Sequence, residues 1–472
     1  MGTLSLRAVS ARGHQLNFLY EFDGLVFSTT HWYPDVPLDA VEARIGRTAF
    51  RRLLFHIAAF DLNKIASLRP DRVCFGDYRG FATPAFAALW RRIFVNVWAQ
   101  WRYENGISEP YVPALEVADA PAPAPVVCPG SDGVLNLSGC GKDSLVANGI
   151  LRRIGVPYRN LTYYASIYGP LRAQRALNAP VVRNTGAAGV HELWMFDDFL
   201  ESPVLACRPD RGIGTLCAAE TPASVFAALP VALHAGATAM ALGHERSADT
   251  GQMVRHDTGE HVNHQWGKSL EAERAINAYI RAELVADFSY FSILKPIYDV
   301  VIFSLLQREG DHVPATSSCN VHKPWCGRCP KCAYVYLGYA AFLPPGLVRR
   351  TFPRDILNDP DTLPVYRALA GLTDRLPFEC VGQAGETRLM LHVCRARGLL
   401  SGPAARLADS LDRAELDGQI ATYTAPAFDG TNIPAAFRDA YAAHIVQACR
   451  DARAYLHTAL VGHGAEAAPA PS

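Results

Sequence analysis

Hydrophobic and polar residues alternate through positions 15–29, a two-residue period that predicts half-buried strands near the amino end of the chain. The period then lengthens. Residues 38–68 and 84–103 carry apolar side chains at helical spacing, and the glycines within 76–80 supply a turn between them. From residue 134 onward short apolar runs at 134–137, 160–164 and 239–242 predict buried strands, separated by helical stretches at 145–154 and 222–235. Such alternation predicts an α/β domain with a parallel sheet covered on both faces, whose ligands bind at the carboxyl ends of the strands. Residues 139–144, 163–168 and 243–249 occupy that position. A further apolar helix is expected up to Leu343, and residues 347–462 read as mostly helical.

The alanine-proline run at 118–125 is an extended, stiff linker, and it places a boundary ahead of the first α/β strand. The expected organisation is an α+β unit at 1–117, a linker at 118–130, an α/β domain at 131–346 and a helical unit at 347–462. An alanine-proline tail at 463–472 is expected to be disordered. The 45 basic and 45 acidic residues balance, so no global field recruits nucleic acid or an anionic membrane. The longest apolar run, at 333–343, is about half the roughly 20 residues of a membrane helix, so no membrane insertion is expected. A cytoplasmic protein is the expectation.

Residues 134–144 join an apolar strand to a small-residue turn and a helix start, ending Ser138-Gly139-Cys140-Gly141-Lys142-Asp143-Ser144. Gly139 and Gly141 allow a tight positive-φ backbone whose amides converge on one anion, and Lys142 and the helix amino end add positive potential. The expected ligand is the phosphate chain of ATP. The spacing is neither that of a Walker loop nor that of a dinucleotide turn. Gly-Cys-Gly-Lys-Asp-Ser instead resembles the Ser-Gly-Gly-x-Asp-Ser loop of the PP-loop ATP pyrophosphatases, with Gly139 in place of the first serine and Cys140 in place of the first glycine. That resemblance implies cleavage of ATP to AMP and pyrophosphate.

Of twelve cysteines, eight are scattered and four cluster at Cys319, Cys326, Cys329 and Cys332. Two overlapping Cys-x-x-Cys bends and a fourth thiolate fit a tetrahedral structural zinc site. Two polar groups flank the later strand. His244, Glu245, Arg246, Ser247 and Asp249 come first, and Asn263, His264, Gln265, Trp266, Lys268 and Ser269 follow. Together they read as a substrate site. His244, Glu245, Asp249, His264 and Lys268 are candidate proton carriers, and Arg246 and Lys268 candidate anchors for carboxylate or phosphate.

In their order after the loop, Glu-Arg-Ser-Ala, Asn-His-Gln-Trp-x-Lys-Ser, Tyr290-Phe291-Ser292, Ser318-Cys319-Asn320 and Trp325-Cys326-x-x-Cys329-x-Lys-Cys332 resemble the UDP-N-acetylmuramoyl-L-alanyl-L-glutamate epimerases of bacterial peptidoglycan synthesis. The segment Pro377-Phe378-Glu379-Cys380-Val381-Gly382 is similar too, whereas a stretch between Val181 and Ala223 has no counterpart. The resemblance implies inversion of a terminal L-glutamyl residue on a nucleotide-linked dipeptide, with ATP and Mg²⁺ consumed through an acyl-adenylate. The loop from Ser138 to Ser144 would then hold the phosphates, Lys142 would steady the departing pyrophosphate and Asp143 would support Mg²⁺. Three other readings stay open: a carboxylate-adenylating, nitrile-forming enzyme similar to 7-cyano-7-deazaguanine synthase, an epimerase of another peptide, and a zinc-stabilised binding protein without catalysis.

Overall fold

The computed structural model describes residues 2–109, 111–119, 122–127, 130–183, 185–199, 202–203 and 219–461. The expected disordered tail at 463–472 and the unmatched residues 204–218 lie outside that set. Ten strands form one sheet: β1 (Thr3–Arg12), β2 (Gln15–Phe22), β3 (Leu25–Trp32), β4 (Arg72–Cys74), β5 (Ala114–Leu115), β6 (Ser131–Ser138), β7 (Tyr158–Ala165), β8 (Val190–Asp197), β9 (Ala237–Leu242) and, after a small hairpin of β10 (Met253–Val254) and β11 (His261–Val262), β12 (Ser289–Ser292). Their spatial order is β12-β9-β6-β7-β8-β3-β2-β1-β4-β5. The five strands from β12 to β8 are mutually parallel, as the alternation predicts.

β3 pairs antiparallel with β8, and β1 to β3 form an antiparallel meander. The sheet therefore runs without a break across the linker expected at 118–130. Ser28 closes the seam, its amide and hydroxyl donating to the Asp198 carboxylate at 2.8 and 2.6 Å.

Alternating side chains divide the core between the two faces. Val134, Ala239 and Ala241 face the helices Asp299–Leu305, Pro330–Phe342 and Ala384–Ala396, whereas Leu135, Leu161 and Met240 face Arg47–Asp61, Pro84–Val97 and Glu220–Ala235. The chain winds from β6 through β7 to β8, then returns to the other side of β6 as β9. The crevice beyond the ends of β6 and β9 is thus the point at which the strand order reverses, where open α/β sheets hold their ligands. Among the described residues no helix is long and apolar enough to cross a membrane.

Candidate functional site

A cavity of about 740 Å³ opens at that reversal point. Its floor is the loop after β6, whose Ser138, Gly139, Gly141, Asp143 and Ser144 all face the opening. The left-handed backbone expected of the glycines is carried by Cys140 instead, at φ 57°, while Gly141 caps the helix Lys142–Arg153 at φ −88°. Cys140 turns its side chain inward, its Sγ 3.7 Å from Ser138 Oγ. Gly141 leaves room for a neighbour: a Cβ there would stand 2.5 Å from Ser318 Oγ, and that hydroxyl would have to swing aside. At Gly243 a Cβ would come within 3.3 Å of Asp143, so the loops after β6 and β9 meet without a side chain between them.

Lys142 does not reach the cavity as the sequence suggests. Its ammonium is buried against Asp143 Oδ1, at 2.5 Å, and against Asp299 Oδ1. Burial alone would lower its pKa, but Asp143, Asp299 and Glu245 together push it up, so the charge stays and is already matched. The cations that line the opening are Lys268, Lys323 and Lys331.

Of the two polar groups, His244, His264, Gln265 and Lys268 line the cavity. The others are engaged elsewhere. Glu245 is buried beneath the wall, and although burial opposes its ionisation, Lys268, Lys142 and Lys331 hold its carboxyl well below the usual range. Arg246 lies over the Tyr298 ring, 4.7 Å from its centre, and Ser247 donates to Glu386 Oε2 at 2.7 Å. Asp249 accepts from Lys295 Nζ at 3.0 Å and from the Leu270 amide at 2.8 Å. Asn263 donates to the Ala248 carbonyl, Trp266 donates to Glu271, and Ser269 accepts from the Ala272 amide to cap Leu270–Glu283. These residues do not line the cavity.

His244 is 7% exposed, and its Nδ1 has no partner. Burial, then Lys268 and Lys295, lower its pKa well below the usual histidine value, so it is neutral. His264 Nδ1 lies 2.6 Å from Gln100 Oε1, an acceptor, so Nδ1 carries the proton there. Gln100 Nε2 in turn donates to Glu104 Oε1 at 2.7 Å, which fixes the amide orientation. Gln100 and Glu104 come from the helix Ala99–Glu104, so the amino-terminal unit supplies part of the site.

Glu220, Lys323, Lys331 and Cys380 also line the cavity; none was a candidate site residue, although Lys331 and Cys380 fall within motifs quoted for the resemblance. Lys323 lies 5.9 Å from the centre of the Tyr168 ring. Glu220 accepts from Tyr168 Oη; its pKa is raised by burial, against the hydrogen bonds from Tyr168 and Tyr163. Cys380 is half-buried, and its carbonyl accepts from Lys331 Nζ. Burial would raise the thiol pKa, but Lys268, His264 and Lys331 outweigh it and bring it down to about 6.

The four clustered cysteines converge, their Sγ atoms all within 4.8 Å of one another. Cys319–Cys329 and Cys326–Cys332 separations of 3.8 Å match the edge of a tetrahedron built on a metal–sulfur bond of about 2.3 Å. The amides of His322, Cys329 and Cys332 each donate to a cysteine sulfur at 3.4 Å, a donor set suited to thiolates. The knot is also part of the cavity wall. Ser317, Ser318, Asn320, Lys323 and Lys331 all project from it toward the opening, and the Ser317 amide donates to the Cys140 carbonyl.

Residues 221–293 match the model of the MurL N-terminal domain and residues 315–405 that of the MurL C-terminal domain. The chain is similar to the UDP-N-acetyl-alpha-D-muramoyl-L-alanyl-L-glutamate epimerase of Salinispora tropica, 30% identical over 388 residues that cover 76% of this chain and 75% of the relative. Proteins of that name from Micromonospora sp. and Xanthomonas oryzae pv. oryzae are also 30% identical, covering 76% and 67% of their own lengths.

Proposed function

The chain belongs to the UDP-N-acetyl-alpha-D-muramoyl-L-alanyl-L-glutamate epimerases, and from that membership we propose that it inverts the terminal L-glutamyl residue of UDP-N-acetylmuramoyl-L-alanyl-L-glutamate, splitting ATP to AMP and pyrophosphate. The observation that carries the reading is the single cavity in which the loop after β6 faces His244, His264 and Lys268. ATP chemistry and proton-transfer groups share one space.

The α-proton beside a free carboxylate is very weakly acidic, because its removal places a second negative charge next to the first. Attack of that carboxylate on the α-phosphorus of ATP releases pyrophosphate and leaves an uncharged acyl group. The Cα–H electron pair then has a carbonyl to enter, so a side-chain base becomes sufficient. Reprotonation on the opposite face and hydrolysis give the D-glutamyl product and AMP.

The amides of the loop and the start of the helix Lys142–Arg153 would cradle phosphate. Asp143 faces the cavity as the carboxylate available to Mg²⁺, which when bound supplies charge neutralisation to the phosphate chain. Lys142, saturated by Asp143 and Asp299, holds Asp143 in place, and Lys323 and Lys268, which line the cavity, would place positive charge near the leaving group. Cys319, Cys326, Cys329 and Cys332 would hold a structural Zn²⁺. The substrate, a water-soluble nucleotide-linked dipeptide, fits a cytoplasmic setting.

The test is incubation with the nucleotide-linked dipeptide, ATP and Mg²⁺, followed by hydrolysis and chiral analysis of glutamate. D-Glutamate that appears only with ATP supports the reading. An amidated or nitrile product formed with ammonia, or no change in the peptide, would overturn it.

A further inference from the structure

We propose that His264 is the base that takes the α-proton of the L-glutamyl residue, and that Gln100, from the amino-terminal unit, is the positioning residue that makes it one; the proposal deepens the epimerase reading above and rests on it. His264 lines the cavity from the turn that follows β11. Its backbone amide donates to Gln252 Oε1 at 2.8 Å, and the Trp266 and Lys268 amides close the turn on the carbonyls of Asn263 and Gln265 at 3.1 and 2.8 Å. The ring is held by a different element. Gln100 Oε1 lies 2.6 Å from His264 Nδ1, and Gln100 Nε2 donates to Glu104 Oε1 at 2.7 Å. A carboxylate only accepts, so the amide turns its oxygen to the ring, Nδ1 carries the proton, and Nε2 is the nitrogen with the lone pair.

Separate contacts fix the helix Ala99–Glu104 against that turn. Arg102 is buried and donates from Nε to Glu260 Oε1 at 3.1 Å, on the residue before β11. Trp98, at the start of the helix, donates to Asn63 Oδ1 at 2.7 Å. Turn and helix are both anchored, so the imidazole is set in place before a substrate arrives.

Other groups at the cavity are less suited. Three carboxylates there are already matched: Asp143 is bound by Lys142, Glu220 accepts from Tyr168 Oη, and Glu379 accepts from Asn320 at 3.3 Å. His244 also lines the cavity, but its Nδ1 has no partner to orient it, and burial, then Lys268 and Lys295, lower its pKa well below the histidine range. Such a ring is a weak base. Lys268, which burial would discharge, is held charged by Cys380 and Glu245 and has no lone pair to offer.

In the step itself an N–H bond forms at His264 Nε2 as the Cα–H bond breaks, and the released electron pair moves into the acyl carbonyl. The positive charge on the ring is met at Nδ1–H by Gln100 Oε1. A proton derived from water then reaches the opposite face of the carbanion, and the imidazolium returns its own proton to solvent.

The experiment uses His264→Ala, Gln100→Leu and Gln100→Glu in the full-length protein, with two readouts in deuterated water. One is dipeptide-dependent exchange of labelled pyrophosphate into ATP, and the other is deuterium entry at the glutamyl α-carbon. His264→Ala is expected to retain pyrophosphate exchange and to lose α-deuteration by roughly 10²–10⁴-fold. Gln100→Leu removes the acceptor opposite Nδ1 and is expected to lose α-deuteration by roughly 10²-fold, again with pyrophosphate exchange retained. Gln100→Glu restores an acceptor there and is expected to recover most of that loss, which a merely structural role would not produce. Wild-type α-deuteration in His264→Ala, or loss of both readouts with the fold intact, would overturn the base; equal losses in the two Gln100 variants would overturn the positioning role. A wild-type protein that exchanges the α-proton without ATP would sink the adenylation reading and leave the His264 result standing.

If His264→Ala does not fold, diethyl pyrocarbonate labelling of the native protein, mapped by mass spectrometry, decides instead. Modification of His264 that the dipeptide blocks, and that removes α-deuteration while sparing pyrophosphate exchange, supports the proposal. Labelling of His264 with α-deuteration intact, or without protection by the dipeptide, contradicts it.

Discussion

Lys142 and Lys268 are both cations on loops at the head of the sheet, yet their surroundings give them different work. Lys142 is enclosed between Asp143 and Asp299, so its removal leaves the buried Asp299 carboxylate without a counter-charge. Lys142→Ala is therefore expected to destabilise the fold by about 3–5 kcal/mol, read from urea unfolding. An unchanged midpoint would show that the pair is not closed as described. Gly141 has the opposite character, since it is needed for space rather than charge. Gly141→Ala puts a Cβ against Ser318 Oγ, which must swing aside in the cavity wall, and the KM for ATP should rise roughly tenfold, the equivalent of about 1.4 kcal/mol. These distinctions were closed to sequence reading. Gly139 and Gly141 announced a tight turn, but which residue took the left-handed backbone depended on how the Cys140 side chain packs, and whether Lys142 faced in or out depended on Asp299, more than 150 residues away.

At the level of elements, the strand–helix alternation from β6 onward was legible because both faces of those strands are buried and their apolar runs are short and dense. β8 was not, because it lies in the stretch with no family counterpart and has one partly exposed side. The convergence of the four cysteines was legible from spacing alone. The knot's second task, carrying Lys323 and Lys331 to the cavity, depends on the bend of the chain around the four sulfurs. Removal of the metal by chelation, or Cys329→Ser, is expected to lower Tm and abolish ATP-dependent turnover together, with one zinc per chain lost by elemental analysis. Retained turnover in the metal-free protein would separate the knot from the site.

The helix Arg47–Asp61 gives a pH-dependent prediction. His56 Nδ1 donates to the Arg52 carbonyl and Nε2 accepts from Tyr279 Oη, both at 2.7 Å, so the neutral ring is fully satisfied. Burial brings its pKa from 6.5 down to about 3. The unfolded chain then binds the extra proton between those values, and stability falls as pH drops through that window. Tm should fall between about pH 7 and pH 5, and His56→Gln should have a smaller fall than wild type. An equal fall in the variant would assign the acid sensitivity to other groups.

On the scale of the whole molecule, one sheet joins what the linker at 118–130 divides in the sequence. The meander β1 to β3 extends the parallel strands through β8, its helices cover one face of the sheet, and Gln100 and Glu104 reach the cavity. The carboxyl-terminal helices cover the other face, where Glu386 accepts from the Ser247 hydroxyl and the Val300 amide. A protein lacking residues 1–117 is therefore expected to be unfolded or aggregated, by circular dichroism and limited proteolysis; a soluble, protease-resistant fragment would contradict the shared sheet. The linker composition, by contrast, reports only local stiffness and says nothing about strands that pair across it.

In the proposed reaction the glutamyl carboxylate is adenylated before its α-carbon inverts. This order is tested most directly with the nucleotide-linked dipeptide carrying ¹⁸O in the glutamyl α-carboxylate, the AMP released being analysed by mass spectrometry alongside D-glutamate. One ¹⁸O in AMP is expected for each D-glutamyl residue formed, because the oxygen that attacks phosphorus leaves with AMP on hydrolysis. AMP free of ¹⁸O, or D-glutamate formed without AMP, would contradict it.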